Sequence, residues 1–315
     1  MAAGGLTRRT LLEAGFCLCC LPSLARSSFA ATAPMETLEV TQGVHVRVGA
    51  TADATEQNQD AIANLGFVMG RDGVLVADPG GSLADGLALR AAIRAKTDKP
   101  IKYVCMSHIH PDHIFGAAAF VEDKPVFVGH RNLPEAMRQR GDYYRERLAE
   151  IVGEENAGTV VQPTLVVEKG AELDLGDRIV DAQAHATAHT TCDLTLVDRS
   201  TGALFTGDLV FVDRVPSLDG SLPGWLKELE GLKRIKAALA VPGHGPASIA
   251  WPAGAADIER YLTTMKRDVE KAIADGTPIE AASETAAQEE RGRWKLFDDY
   301  NGRNAIAAYK ELEWG

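Results

Sequence analysis

The feature that most constrains this chain is a histidine-rich segment that directly follows an apolar run. Residues 107–113 read Ser-His-Ile-His-Pro-Asp-His, and the run at 101–106 before them is typical of a buried strand. Three imidazoles and a carboxylate do not suit an apolar core, and any protonated histidines among them would repel one another. Zinc accepts both imidazole and carboxylate ligands, so the segment predicts a metal site at the end of a strand.

The spacing within this segment indicates two metal positions. Alternate residues of an extended chain point the same way, so His108 and His110 can share one ion. A turn at Pro111 can direct Asp112 and His113 towards a second ion. A solvated polar loop is the alternative interpretation, but it does not explain why these residue types cluster.

Three further candidate ligands occur later, each near the end of a predicted strand and beside small residues. His189 lies in Ala-His-Thr-Thr-Cys-Asp, Asp208 in Thr-Gly-Asp-Leu and His244 in Pro-Gly-His-Gly-Pro. Loops can project from a sheet edge at such positions. Taken in order with the first segment, these motifs resemble the HxHxDH-containing metallo-β-lactamase superfamily, and the resemblance spans most of residues 60–250.

This resemblance implies a fold, a ligand set and a nucleophile. The fold is an α/β metallo-β-lactamase αββα sandwich, in which two packed β-sheets carry helices on their outer faces. The residues assigned to the metals are His108, His110 and His189 for the first ion, Asp112, His113 and His244 for the second, and Asp208 as a bridge. Two zinc ions are the expected cofactors, with iron or manganese as alternatives because geometry and availability select the metal. A hydroxide between the ions is the implied nucleophile, so we expect the metal-binding carboxylates Asp112 and Asp208 to be catalytic.

Strand and helix signals agree with this organisation. Within residues 31–250 two groups of predicted strands are accompanied by helices, which favours two packed sheets with helices outside. Strand signals disappear near residue 251. We therefore expect residues 251–315 to form a C-terminal helical extension packed on the same domain.

The first thirty residues differ from the rest. Arg8 and Arg9 precede an apolar stretch, and small residues two apart at 28–30 are typical of a cleavage site. This resembles a twin-arginine export signal, so residues 1–30 are predicted to be a signal peptide and the mature protein to be periplasmic. The apolar stretch is short and interrupted by Glu13, and no membrane span is expected in the mature chain. A disordered basic N-terminus is the alternative.

Charge and cysteine content narrow the possible partners. The 315 residues carry a formal net charge of −11, which makes a nucleic-acid backbone a poor partner and leaves a small-molecule substrate as the expectation. After the predicted signal peptide only Cys105 and Cys192 remain, too few for a disulfide framework. Packed free thiols are expected, with pairing in an oxidising compartment as the alternative.

Residues beside the ligand set receive supporting roles. Asp78 ends an apolar strand, and a similarly placed Asp supports the metal-binding loop in the resembled superfamily. His185 is expected to be a strand histidine rather than a ligand. Arg214, Asp219 and Trp225 are expected to shape the mouth of the substrate pocket, with a loop salt bridge or a packed aromatic as the alternative.

A narrower resemblance rests on two segments. The Gly-Arg signature of glyoxalase II and the persulfide dioxygenases is missing after Asp208. The C-terminal segment at 303–314, from Arg-Asn-Ala to Glu-Leu-Glu-Trp, also differs from those families. Together with the export signal, the chain looks like the quinoprotein relay system zinc metallohydrolases, a SoxH-like group. That resemblance implies a functional link to a periplasmic quinoprotein system and does not indicate the substrate.

The expected activity is hydrolysis of an ester, thioester, lactone or amide-type substrate by a dinuclear zinc centre. One alternative is a β-lactamase with a closely similar ligand set. Another is a mononuclear iron thiol dioxygenase, which would hold its metal on His110, His189 and Asp208. A third is a non-catalytic accessory protein or metal chaperone of a quinoprotein system. A complete ligand set with an open coordination position weighs against that third alternative.

Overall fold

Two β-sheets form the centre of the structure, a computed structural model that describes Met1 and residues 35–314. The first sheet runs in chain order through β1 Leu38–Thr41, β2 Val44–Arg47, β3 Leu65–Met69, β4 Val74–Ala77, β5 Ile101–Cys105, β6 Val126–His130 and β7 Leu165–Val167. Strands β1 to β4 are antiparallel, whereas β4 to β7 are parallel. The predicted signal peptide, apart from Met1, lies outside the described residues.

The second sheet has the strand order β12-β11-β10-β9-β8. Its strands are β8 Gly170–Asp174, β9 Ile179–Ala184, β10 Leu194–Asp198, β11 Ala203–Phe205 and β12 Leu239–Val241. Neighbours in this sheet are antiparallel except for β11 and β12, which are parallel. The carboxyl ends of β11 and β12 therefore lie at the same edge of the sheet.

Helices cover both sheets. The α-helices of the described residues are α1 Leu83–Arg94, α2 Pro111–Ile114, α3 Leu133–Val152, α4 Leu222–Leu232, α5 Ala256–Ala274, α6 Ile279–Thr285 and α7 Phe297–Trp314. Short 3-10 segments occur at Phe115–Asp123, Gly207–Leu209, Ala253–Ala255 and Gln288–Arg293.

Strand alternation explains the layers. Strand β4 is buried throughout: Val74 and Val76 pack in a core cluster with α1 and α3, whereas Leu75 faces the second sheet. Successive strand residues point to opposite faces, so a strand that is apolar at every position is covered on both sides. The sheets approach closely, because a methyl group at Gly66 of β3 would lie 2.3 Å from the Phe205 ring of β11. The predicted α/β sandwich is confirmed.

The C-terminal helices pack on α4 in a further core cluster. Tyr261 of α5 and Phe297 of α7 are buried there together with Trp225 of α4. Helices are therefore present where strand signals ended, and they share a core with the second half of the chain. Among the described residues, no helix combines the length and hydrophobicity that a membrane crossing requires. Cys105 and Cys192 are both buried free thiols.

Candidate metal centre

The histidine-rich segment starts where β5 ends and turns into helix α2. His108 and His110 lie in the loop, and Pro111 occupies the first turn of α2, where its missing N–H costs no hydrogen bond. Asp112 and His113 follow on that first turn and are buried. The change from loop to helix at Pro111 therefore separates the side chains into two directions, as the spacing predicts.

The second sheet supplies the other ligand-type side chains from three loops. His189 lies between β9 and β10, Asp208 lies in the 3-10 segment after β11, and His244 follows β12. All three are buried. The two sheets thus direct loops from the same edge of the sandwich to one place, and residues far apart in sequence meet there.

One group of side chains consists of three histidines and a carboxylate. Nδ1 of His110 lies 3.0 Å from Nε2 of both His108 and His189, and those two Nε2 atoms are 3.3 Å apart. Oδ2 of Asp208 lies 3.5 Å from the His189 nitrogen and 3.7 Å from that of His108. A tetrahedral zinc site with Zn–N bonds of about 2.05 Å gives ligand separations of about 3.3 Å. The four side chains therefore fit around one cation.

The second group consists of a carboxylate and two histidines. Oδ2 of Asp112 lies 3.2 Å from Nε2 of His244 and 3.5 Å from Nε2 of His113. Asp208 stands between the groups: its Oδ1 is 3.2 Å from the His113 nitrogen, and its Oδ2 is 3.4 Å from the His244 nitrogen. The structure thus brings together all seven side chains that the sequence singled out as ligands.

Two buried polar atoms indicate whether these seven side chains suit bound cations. Nε2 of His113 and Oδ1 of Asp208 are buried and lie 3.2 Å from one another, but neither makes a hydrogen bond of good geometry in the described part of the chain. Buried polar atoms are rarely left unpaired in folded proteins. Divalent cations would satisfy both atoms, and the side chains form two groups suited to hold a metal. The residues present therefore form two groups that fit metal binding.

The electrostatics of the site agree with this fit. Burial raises the pKa of Asp208, but the neighbouring His244, His113 and His108 hold it well below its usual value. Burial and His110 lower the pKa of His189 to about 3, so this imidazole stays in the neutral form that binds metals. Burial lowers the pKa of His113, but Asp208 and other carboxylates outweigh burial and raise it well above its usual value. That proton compensates the buried carboxylates, a role that a cation can take over.

Hydrogen bonds behind the ligands fix their orientation. Nδ1 of His189 lies 2.8 Å from the carbonyl oxygen of Ser217, and Nδ1 of His244 lies 3.0 Å from that of Ile62. A ring nitrogen that donates to a carbonyl leaves the other nitrogen with a free lone pair. Both Nε2 atoms therefore present that lone pair to the centre of the site.

Asp78 lies directly behind the histidine-rich segment, at the end of β4. Its Oδ1 accepts a hydrogen bond from the backbone N–H of Ser107 at 2.7 Å, and its Oδ2 lies 2.8 Å from Nδ1 of His113. The φ of Asp78 is 59°, a left-handed conformation that Asp tolerates better than most residues. The structure thus places Asp78 in contact with one ligand-type residue and with the loop that carries the others.

Asp219 also contacts the site from behind, where the sequence suggested a place at the pocket mouth. Its Oδ2 lies 3.4 Å from Nε2 of His110 and pairs with Arg140 of α3. It does not line the cavity above the metal groups. Asp78 was identified by its place at the end of an apolar strand and by the resemblance; Asp219 has no such signal, and the spacing gives no distance from it to His110.

A cavity of about 470 Å³ opens onto the two groups. Its floor contains His110, Asp112, Asp208 and His244. Arg214 lines the wall, as predicted for a residue of the pocket.

Trp225 does not line the cavity, which corrects its prediction as a pocket residue. The side chain is fully buried, its Nε1 donates to the carbonyl oxygen of Leu209 at 3.0 Å, and its ring centroid lies 5.0 Å from that of His189. Helical spacing directs this face of α4 into the core. Trp225 therefore supports His189 by packing.

Several cavity residues were not singled out in the sequence. Asp60, Tyr144 and Tyr300 line the cavity but carry no local motif. Burial raises the pKa of Asp60 well above its usual value, and nearby Asp112 adds to the effect. Only the packing of distant segments brings these three residues to one surface.

His185 lies outside both groups, at the end of β9. Its Nδ1 is 3.0 Å from Oε2 of Glu228, and its Nε2 is 2.9 Å from Oγ1 of Thr195. Both ring nitrogens are therefore occupied by polar partners other than the ligand-type residues.

Comparisons with known proteins agree with this geometry. The family model described as "Metallo-beta-lactamase superfamily" matches residues 60–244. A linear primary-alkylsulfatase of Pseudomonas sp. (strain ATCC 19151) is 32% identical over 99 residues, which cover 31% of this chain and 17% of that protein. The acyl-coenzyme A thioesterase MBLAC2 of Bos taurus is 32% identical over 185 residues, covering 52% of this chain and 61% of that protein. The matches thus span less than two thirds of these relatives.

Solved structures share the fold at lower sequence identity. The sec-alkylsulfatase Pisa1 from Pseudomonas sp. has a TM-score of 0.69 and 15% identity, over 88% of this chain and 50% of that chain. A metallo-β-lactamase from Pontibacter korlensis has a TM-score of 0.59 and 16% identity, over 72% of this chain and 98% of that chain. At such identities the likeness shows the fold alone.

Proposed function

The chain belongs to the metallo-β-lactamase superfamily, and from that premise we propose that it is a hydrolase with a dinuclear zinc centre. The observation that carries the proposal is the convergence of five imidazoles and two carboxylates, among which Nε2 of His113 and Oδ1 of Asp208 make no hydrogen bond of good geometry. His108, His110 and His189 would hold the first ion, and Asp112, His113 and His244 the second. Asp208 would contact both.

Each part of the site has a task in hydrolysis. Bound zinc would supply a Lewis acid for the substrate's electrophilic centre and would lower the pKa of a nucleophilic water. Asp208 and Asp112 would supply negative charge that holds the cations. Asp78 and Asp219 orient His113 and His110 from behind. The cavity admits the substrate from one side, while buried packing closes the other.

The second group separates this proposal from a mononuclear iron dioxygenase. Such an enzyme needs only His110, His189 and Asp208, yet Asp112 and His244 also face one another at 3.2 Å. A single ion on those three residues would leave the second group of ligand-type side chains without a cation. It therefore favours two ions and hydrolysis.

We propose that the substrate is an ester or a thioester. Lactones and amides are further candidate substrates. The relatives named as an acyl-coenzyme A thioesterase and an alkylsulfatase support this choice and add sulfate esters. A periplasmic location through the twin-arginine route is also part of the proposal and rests on the sequence at residues 1–30. The link to a quinoprotein system rests on that signal and on the segment at 303–305.

Metal quantification followed by a substrate panel tests the proposed function. We expect about two zinc ions per purified chain and turnover that stops on chelation. His110→Ala should lose metal and activity together, whereas His185→Gln, which alters a histidine outside both groups, should keep both. One iron per chain with thiol oxidation would establish the dioxygenase instead. Rapid turnover of a chromogenic cephalosporin would establish the β-lactamase.

A further inference from the structure

The cavity carries more positive charge than the acidic chain around it suggests. Arg147, Arg214 and Arg303 all line it, in a protein whose formal net charge is −11. Outside the metal groups, the carboxylates that line it are Asp53 and Asp60. The arginines come from three separate segments, so only the fold brings them to one surface.

The guanidinium of Arg214 makes polar contacts with other residues of the same chain. Its guanidinium donates to the hydroxyl of Tyr300 at 2.9 Å and lies 3.4 Å from Oδ1 of Asp53. The same Tyr300 hydroxyl donates to Asp53 at 2.5 Å. The charges of Arg214 and Asp53 therefore compensate one another, and together they hold Tyr300 of α7 at the cavity wall.

Arg303 is different, because its side chain is exposed and has no carboxylate partner among residues 35–314. Its Cζ lies 5.6 Å from the centroid of the Tyr300 ring, within the range of a cation–π contact. Within residues 35–314, Arg147 pairs only with Glu150, and both side chains are 61% exposed. Exposed pairs of this kind contribute about 0–1 kcal/mol, so Arg147 can also turn to an anion.

Helix α3 contributes apolar side chains to the cavity wall. Tyr144, Leu148 and Ile151 of α3 all line it. Their spacing of four and three residues places them on one face of the helix. Ile151 is 40% exposed, so its side chain is accessible at the cavity.

We propose that helix α7 sets the substrate preference of this cavity through Arg303. The guanidinium, held by the ring of Tyr300, receives an anionic group of the substrate, and an acyl or alkyl chain lies against Tyr144 and Leu148. The ligand class is an apolar chain joined to a sulfate, phosphate or carboxylate group. A sulfate ester and an acyl thioester of an anionic thiol share this chemistry. The inference rests on the proposed hydrolase function for its reaction, but not for its binding.

Equilibrium binding tests the inference without relying on turnover. Octane-1-sulfonate is a non-hydrolysable probe with both an anionic group and a chain, and octan-1-ol is its neutral counterpart. With the metal-loaded full chain, Arg303→Ala should raise the Kd for the sulfonate about tenfold and leave that for octan-1-ol unchanged. Arg303→Lys should retain part of the affinity. Lys310→Ala, which removes an exposed cation elsewhere on α7, should change neither Kd.

Equal sulfonate affinities for Arg303→Ala and Lys310→Ala would overturn the inference. So would equal affinities of the wild type for the sulfonate and the alcohol. A wild type that binds the sulfonate no more tightly than octan-1-ol, yet catalyses metal-dependent hydrolysis, would leave the proposed function standing and reject the role of α7. A wild type that prefers the sulfonate to octan-1-ol but catalyses no hydrolysis would support the role of α7 and reject the proposed function.

Turnover then identifies the source of the anion. Octyl sulfate would release sulfate, and octanoyl-coenzyme A would release a thiol. On whichever substrate is hydrolysed, Arg303→Ala should raise KM about tenfold with little change in kcat. An unchanged KM on that substrate would contradict the assignment.

Discussion

Oδ2 of Asp78 lies 2.8 Å from Nδ1 of His113, and the same carboxylate accepts hydrogen bonds from the N–H and the hydroxyl of Ser107. One side chain at the end of β4 therefore fixes both ends of the histidine-rich segment. Because Nδ1 of His113 points to Asp78, its Nε2 points to Asp112 and Asp208. Asp78 therefore sets the orientation of the His113 ring from the side opposite the other ligand-type residues.

Asp78→Asn should lower metal affinity about 10- to 100-fold, since an amide cannot supply the charge that orients His113. Asn also tolerates the left-handed backbone at this position, so the fold should survive. Competition with a chelator measures the affinity, and the exposed Asp98→Asn is the control. An affinity equal to that of the control would show that Asp78 has no role in metal binding.

Gly243→Ala should displace Asp208. A methyl group at Gly243 would lie 1.9 Å from Oδ1 of that aspartate, so the carboxylate must move away from His113. We expect metal content to fall and metal-dependent turnover to drop by about 100-fold. Metal analysis and steady-state kinetics measure both.

Gly231→Ala is the matched control for that substitution. Gly231 lies in α4 with no atom near enough to meet an added methyl group, so alanine should be neutral or stabilising by up to about 1 kcal/mol. If both variants kept wild-type metal content, the close approach of Gly243 to Asp208 would not matter for the site.

Removal of metal should destabilise the protein, because the buried ligand groups would lose their compensating cations. A ligand at about 1,000 times its Kd adds about 4 kcal/mol to the free energy of unfolding. Thermal unfolding should therefore occur at a lower temperature after chelation and recover when zinc is restored. His110→Ala should show a smaller response. The same midpoint with and without chelator would contradict metal binding by the folded state.

The stability of the fold should also fall in mild acid because of His130. Burial lowers its pKa from 6.5 to about 4, and its Nδ1 accepts a hydrogen bond from the N–H of Asn132 while its Nε2 contacts the carbonyl oxygen of His185. The unfolded chain binds this proton more readily than the folded chain between about pH 6.5 and 4. The free energy of unfolding should therefore decline as pH falls through that window.

His130→Gln removes this titration while keeping a donor and an acceptor. Urea unfolding between pH 7 and pH 4 should show a shallower decline for the variant, even if its stability at pH 7 is lower. Parallel curves for the two proteins would exclude His130 as a source of the acid sensitivity.

The local motifs of the sequence determined the fold class and indicated which side chains meet. Strand ends followed by His108, Asp208 or His244 predicted loops with ligand-type residues, because residue type and spacing are local properties that the sequence states directly. A buried strand such as β4 likewise needs helices or a sheet on both faces. The prediction of an α/β sandwich rested on two groups of predicted strands with their helices and on the resemblance to a known superfamily.

Only the tertiary structure decided what surrounds the site. It buries Trp225 in the core, places Asp219 behind His110, and brings Tyr300 to Asp53 across 247 residues of sequence. The physical reason is that a cavity wall consists of faces from elements far apart in the chain. Which face of α4 or α7 points inward depends on packing with those elements. The spacing of residues within one helix does not determine that packing.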